Sequence, residues 1–173
     1  GGSGSSLKKR NQHCEPRKAI DHALLTYGLR SHDVPGDGNC LFRAIAHHLE
    51  DKTHDVVRAR VVAEMRKFPK RYSESAEKWD LQDSGENLHG CSFDEYVDRM
   101  ESDGVWGGNA TLLAAANAFG CRLHIVSDAA SGQGQSYHVL VTPEPMSGRR
   151  SGQGQDIWMA YLNGNHYCAT SVL

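Results

Sequence analysis

The chain has 173 residues, a length that fits a single domain and encloses one sizeable core without metal or disulfide staples. Its hydrophobic share of 39%, with 18 glycines set beside it, is that of a globular domain and excludes disorder over the whole length. A balance of 19 basic against 21 acidic residues disfavours a general nucleic-acid binder, and no apolar run approaches the roughly 18 residues that cross a bilayer.

Residues 1–14 open on Gly-Gly-Ser-Gly-Ser-Ser and continue through Lys8, Lys9 and Arg10, a polar stretch expected to be a flexible lead-in outside the fold. The folded domain is then expected over 15–173. Pro16 suits a first helical turn, and Ala19, Ile20, Ala23, Leu24 and Tyr27 recur at helical spacing up to Gly28. The turn chemistry of Pro35-Gly36-Asp37-Gly38-Asn39 precedes a second helix starting near Cys40, with Phe42, Ile45, Ala46 and Leu49 on one face. Val57, Val61 and Met65 mark a third helix that stops before Pro69. Residues 69–90 are polar and read as a short helix plus loop. Ser92 and Glu95 have capping-box spacing ahead of Phe93, Tyr96, Val97 and Met100, and another helix runs from Asn109 to Gly120.

Thereafter the pattern changes to strands: 123–126, 137–141, 157–162 and 166–170. The pentapeptide Ser-Gly-Gln-Gly-Gln occurs at 131–135 and 151–155, between strands, and is expected in hairpin loops. Helices first and strands later predict an α+β domain with a mainly antiparallel sheet.

Five cysteines without a Cys-x-x-Cys pair argue against a secreted disulfide framework and for reduced thiols in a cytoplasmic setting. Cys40 is the one that invites chemistry. A glycine-bent turn delivers it to a helix start, where unpaired N–H groups and the dipole favour a thiolate and where backbone donors can face an oxyanion. A thiol nucleophile needs a base. His166, at the start of the last predicted strand, is the candidate, while His47, His48 and His138 compete on composition alone. Zinc-like spacings at Cys121-x-x-His124 and His89-x-Cys91 lack the further ligands a tetrahedral site requires, so no metal or cofactor is expected.

Asp37-Gly38-Asn39-Cys40-Leu41-Phe42-Arg43-Ala44, together with Trp106-Gly107-Gly108-Asn109 and the late Asn165-His166-Tyr167, resembles the ovarian-tumour (OTU) deubiquitinases. The resemblance spans roughly residues 30–170. It implies a papain-like fold with helices flanking a small sheet, and a thiol isopeptidase cleaving between the C-terminal glycine of ubiquitin and a lysine. Cys40 matches the nucleophile, His166 the general base, and Asp37 an aspartate that shapes the oxyanion loop with the backbone of Gly38 and Asn39. Trp106 and Asn109 match a loop beside the substrate groove. Ubiquitin or polyubiquitin is the implied partner of a monomeric enzyme.

One position departs from the pattern: many family members carry Asp or Asn two residues after the histidine, and this chain carries Cys168. A thiol is a weak acceptor for an imidazolium. Asn163, Asn165 or Cys168 would orient His166 locally, whereas Asp33 and Asp37 reach it only through the fold. The departure leaves open another orienting group, a catalytic dyad, or impaired catalysis in a ubiquitin-binding module; a separate rival is a thiol hydrolase for another ubiquitin-like modifier, or a transferase using the same acyl-enzyme. If position 168 is the orienting one, Cys168→Asp is expected to maintain or raise turnover. The acidic face of Asp94, Glu95, Asp98 and Glu101 reads first as a solvated helix surface and second as a dock for ubiquitin.

Overall fold

The computed structural model describes residues 14–75, 92–128, 137–145 and 154–173. The lead-in at 1–13, His89, Cys91 and the first Ser-Gly-Gln-Gly-Gln copy lie outside the described residues. Six helices appear among them: α1 (Cys14–Leu25), α2 (Cys40–His47), α3 (His54–Lys67), α4 (Pro69–Ser75), α5 (Phe93–Met100) and α6 (Asn109–Phe119). Five strands, β1 (Leu29–His32), β2 (Arg122–Ser127), β3 (Tyr137–Val141), β4 (Asp156–Leu162) and β5 (His166–Val172), form one sheet in the order β1-β5-β4-β2-β3. Every pairing is antiparallel except β2 with β4.

The four expected strands are present, and β1 is an addition. Leu-Arg-Ser-His is too short and too polar to announce itself, because an edge strand buries little of its side-chain surface. Its pairing partner is β5, with Leu29 opposite Val172 and His32 opposite Ala169. The parallel β2/β4 pair is started by Arg122, whose guanidinium donates to both oxygens of Asp156 at 2.7 Å.

Period-two alternation divides the sheet's side chains between two cores. On one face Leu123, Ile157, Met159 and Ala169 pack with Phe42 and Ile45 of α2, Val57, Val61 and Met65 of α3, Met100 of α5 and Leu112 of α6. On the other, Val126, Ala160, Leu162 and Cys168 meet Ile20 and Leu24 of α1. The capping box of α5 is formed as expected: the Glu95 N–H donates to Ser92 Oγ, and the Ser92 N–H donates to the Glu95 carboxylate. No described helix is long and apolar enough to cross a membrane.

Candidate active site

The turn ahead of α2 is held from three sides. Gly38 has φ +80° and lies so close to the Gly104 carbonyl that a Cβ would overlap it, which explains glycine at this position. Asn39 is buried, and its side chain faces away from the helix it precedes. Its Oδ1 accepts from Arg58 Nη2 at 2.7 Å and from the Gly104 N–H at 2.9 Å. Arg58, itself buried and lying over the Phe42 ring, also donates to the carbonyls of Met100 and Val105 at 2.9 Å each. A single guanidinium thus ties α3, the 100–105 segment and the turn together.

Asp37 closes the turn on itself. Its Oδ1 accepts from the Asn39 N–H at 3.1 Å, and its carboxylate pairs with Arg43 at 2.6 Å. That guanidinium, chiefly, holds the Asp37 carboxyl well below its ordinary range. The hydrogen bond occupies the Asn39 N–H, which corrects one expectation: Asn39 is not a backbone donor to an oxyanion. Gly38 and Cys40 line the cleft, and the N–H of Cys40, at the start of the helix, has no intrahelical carbonyl.

Cys40 begins α2 and is 7% exposed. Burial pushes its thiol above the ordinary value of 9.0, outweighing the opposing pull of backbone N–H groups from Tyr167 and Leu41. Burial thus opposes the thiolate that the helix start favours. The Tyr167 N–H nonetheless fixes the geometry that matters. It brings β5, and with it the neighbouring His166, to the nucleophile's side.

His166 presents Nε2 to Asp33 Oδ1 at 3.5 Å. Its other side, Cε1 and Nδ1, faces the turn, 3.8 Å from where a Cβ on Gly36 would stand. The imidazole is thus oriented with one nitrogen on a carboxylate and the other toward Gly36, in the turn that leads to Cys40. Cys168, on the same strand face, directs Sγ at Asp33 Oδ1 across 3.7 Å. The local candidates Asn163 and Asn165 spend their backbone N–H groups on neighbouring turns. Asn163 has φ +54° and donates its N–H to the Asp128 carboxylate at 3.0 Å, and the Asn165 N–H closes a turn onto the Leu162 carbonyl at 3.1 Å. The reason lies in β1. Its antiparallel register ends with His32 opposite Ala169, so the next residue, Asp33, comes to rest across from Cys168. A carboxylate from the neighbouring strand replaces the one that the sequence lacks at 168.

A cleft of about 140 Å³ opens beside Cys40. Trp106, Gly107, Gly108 and Asn109 line one side, and Tyr161, Asn165 and Tyr167 the other. Trp106 is half exposed there, and a side chain at Gly107 would collide with Leu41 and Thr111. Both residues expected in a groove loop, Trp106 and Asn109, are on the cleft.

The competing histidines lie elsewhere. His47 stacks on His32, and His48 meets the Trp158 carbonyl at 3.0 Å. His138 pairs with His124, whose Nε2 contacts Asp156 at 2.8 Å. On the acidic face, Asp98 and Glu101 are paired with Arg66 at 3.0 and 2.7 Å, and Glu95 is used by its capping box.

Residues 35–167 match the family model described as OTU-like cysteine protease. The chain belongs to this family. It is 30% identical over 155 residues to the OVARIAN TUMOR DOMAIN-containing deubiquitinating enzyme 11 of Arabidopsis thaliana, covering 86% of this chain and 54% of that protein. It is also 30% identical over 115 residues to Ubiquitin thioesterase otu2 of Schizosaccharomyces pombe, covering 64% and 37% respectively. The chain thus spans about half the length of the plant relative, and less of the yeast one. Among solved structures the OTU fold is matched by the OTUD1 OTU domain, with a TM-score of 0.75 at 19% identity over 94% of this chain and 99% of that one. The Hazara virus OTU bound to ubiquitin superimposes with a TM-score of 0.61 at 18% identity, over 86% and 84%.

Proposed function

We propose that this OTU domain is a deubiquitinase, hydrolysing the bond between the C-terminal glycine of ubiquitin and a lysine amine through a Cys40 thioester. The observation that carries the reading is a chain of contacts that starts at the cleft: the Cys40 thiol on α2 meets the Tyr167 N–H, the neighbouring residue on β5 is His166, and His166 Nε2 faces Asp33. The plant and yeast relatives are named as a deubiquitinating enzyme and a ubiquitin thioesterase, which supports ubiquitin as the substrate.

The chemistry follows from the geometry. His166 Nδ1 accepts the Cys40 proton as the thiolate attacks the carbonyl carbon of the terminal glycine. Burial disfavours the free thiolate, so His166 serves to take the thiol proton as attack proceeds. The N–H groups of Gly38 and Cys40 receive the developing oxyanion, and removing one such donor typically costs about 10²–10³ in rate. The imidazolium, held by Asp33 through Nε2, returns the proton to the departing lysine amine. Water, deprotonated by His166, then resolves the thioester. A narrow cleft walled by the Gly107 and Gly108 backbone suits a tail ending in glycine better than one with a bulky last residue.

The departure at Cys168 loses its force as a sign of impaired catalysis, since Asp33 supplies the missing carboxylate. A ubiquitin carrying a C-terminal electrophile tests the reading. An adduct that Cys40→Ala abolishes supports it, and retained ubiquitin binding without an adduct refutes it. Parallel probes built on ubiquitin-like modifiers distinguish the substrate.

A further inference from the structure

Cys168 has no part in the mechanism above, yet its sulfur sits beside both the orienting carboxylate and the base. One ligand atom from each of Asp33, His166 and Cys168 lies within 4.8 Å of the others. We propose that these three side chains form a binding site for a thiophilic divalent cation, Zn2+ above all, and that its occupancy switches the enzyme off. The inhibitory half of this statement rests on His166 being the general base; the binding half does not.

Both separations from the Asp33 carboxylate match those around a bound ion, and the imidazole and sulfur lie within 4.8 Å of each other. Tetrahedral zinc with Zn–O and Zn–N near 2.1 Å and Zn–S near 2.3 Å requires ligand separations of roughly 3.4 Å between O and N and roughly 3.6 Å between O and S. The observed separations are 3.5 Å from Asp33 Oδ1 to His166 Nε2 and 3.7 Å from Asp33 Oδ1 to Cys168 Sγ. Carboxylate, imidazole and thiol together form a mixed hard and soft donor set that zinc accepts. Access is from one side: Cys168 is 2% exposed and forms the floor, while the Asp33 side chain is 58% exposed at the mouth. Three protein ligands leave the fourth position to water.

The consequence for the base follows from tautomers. On binding, the Cys168 thiol releases its proton to solvent and its sulfur bonds the ion, while the lone pair of His166 Nε2 is donated to the metal. A neutral imidazole ligated through Nε2 carries its proton on Nδ1. Nδ1 is the nitrogen turned toward the nucleophile's loop, so the ligated ring has no lone pair with which to accept the Cys40 proton. The ion also takes the Asp33 carboxylate from its orienting role. Zinc at this site would therefore inhibit without touching Cys40 and reversibly, since no covalent bond to carbon forms.

Binding and inhibition are measured separately. Metal-free Cys40→Ala protein titrated with Co2+ is expected to take up one ion with a thiolate-to-cobalt charge-transfer band. Cys168→Ser should remove the band, and Asp33→Ala, at an exposed position, should weaken binding. Loss of a direct ligand is expected to cost more than the roughly 10–100-fold lost with an outer-shell partner. Absence of the band in Cys40→Ala, or its survival in Cys168→Ser, overturns the site. In the hydrolysis assay, Zn2+ should inhibit metal-free wild type, a chelator should restore the rate, and Cys168→Ser should need at least about tenfold more Zn2+ relative to its own uninhibited rate. Equal sensitivity of Cys168→Ser overturns the switch. Failure of the deubiquitinase reading is a different result: no hydrolysis by metal-free wild type, with the cobalt band intact.

Discussion

Replacing Asp33 by Asn removes the charge beside His166 with almost no change of shape, so it isolates the electrostatic part of the orienting role. Two unit charges 3.5 Å apart interact by about 1.2 kcal/mol at the dielectric of water and about 2.4 kcal/mol at half that value. With Asp33 58% and His166 26% exposed, solvent screens the pair, and the lower part of the protein's dielectric range does not apply. The reaction passes through the imidazolium, so loss of this attraction falls on the transition state. At 1.4 kcal/mol per decade it corresponds to a fall in kcat/KM of roughly 7–50-fold. Hydrolysis of a ubiquitin C-terminal coumarin amide measures it, with circular dichroism confirming the fold. The partner experiment is Cys168→Asp. In the wild-type background it sets a second, buried carboxylate against Asp33 and is expected to lower activity, reversing the expectation drawn from the sequence. In the Asp33→Asn background the same change returns one charge to the strand position two after His166 and should recover part of the rate. Asp33→Asn activity within twofold of wild type, or a Cys168→Asp effect of the same size in both backgrounds, would refute the assignment of Asp33.

Gly38→Ala puts a left-handed residue and a Cβ against the Gly104 carbonyl, so the turn and the 100–105 segment must separate; kcat/KM should fall at least about a hundredfold, the usual cost of misplacing reacting groups by about 1 Å, and the thermal midpoint should drop as well. Arg58→Ala leaves the Met100 and Val105 carbonyls without their donor and opens space under Phe42, a loss of about 2–4 kcal/mol that at this chain length lowers Tm by roughly 5–15 °C in calorimetry. Because burial raises the Cys40 thiol above 9.0, only a small and pH-dependent fraction is thiolate near neutrality. Alkylation of Cys40 by iodoacetamide should therefore keep rising from pH 7 to pH 9, followed by mass spectrometry. A plateau beginning below pH 7 would reveal a preformed thiolate instead.

The sequence by itself determined the parts of this protein whose physics is local. Helical spacing in α1, α3 and α6, the Ser92/Glu95 cap and the apolar runs of β2 to β5 each sit within one turn or one strand. So does the delivery of Cys40 to a helix start by a glycine-bent turn. The proposed pairing of Cys40 with His166, 126 positions apart in the numbering, is suggested by the sequence only because both ends carry a recognisable motif. Tertiary structure decided what depends on register and burial. β1 was invisible because an edge strand of mixed polarity has no periodicity to read, and the same strand carries Asp33 to the place that Cys168 left without a carboxylate. Burial likewise set the Cys40 thiol against the direction its helix position favours, and the hydrogen bond from Asn39 to Asp37 withdrew a donor that the turn's sequence offered. A side chain's neighbours across a sheet follow from how strands align, and its ionisation follows from how much water it keeps. Both are properties of the assembled fold.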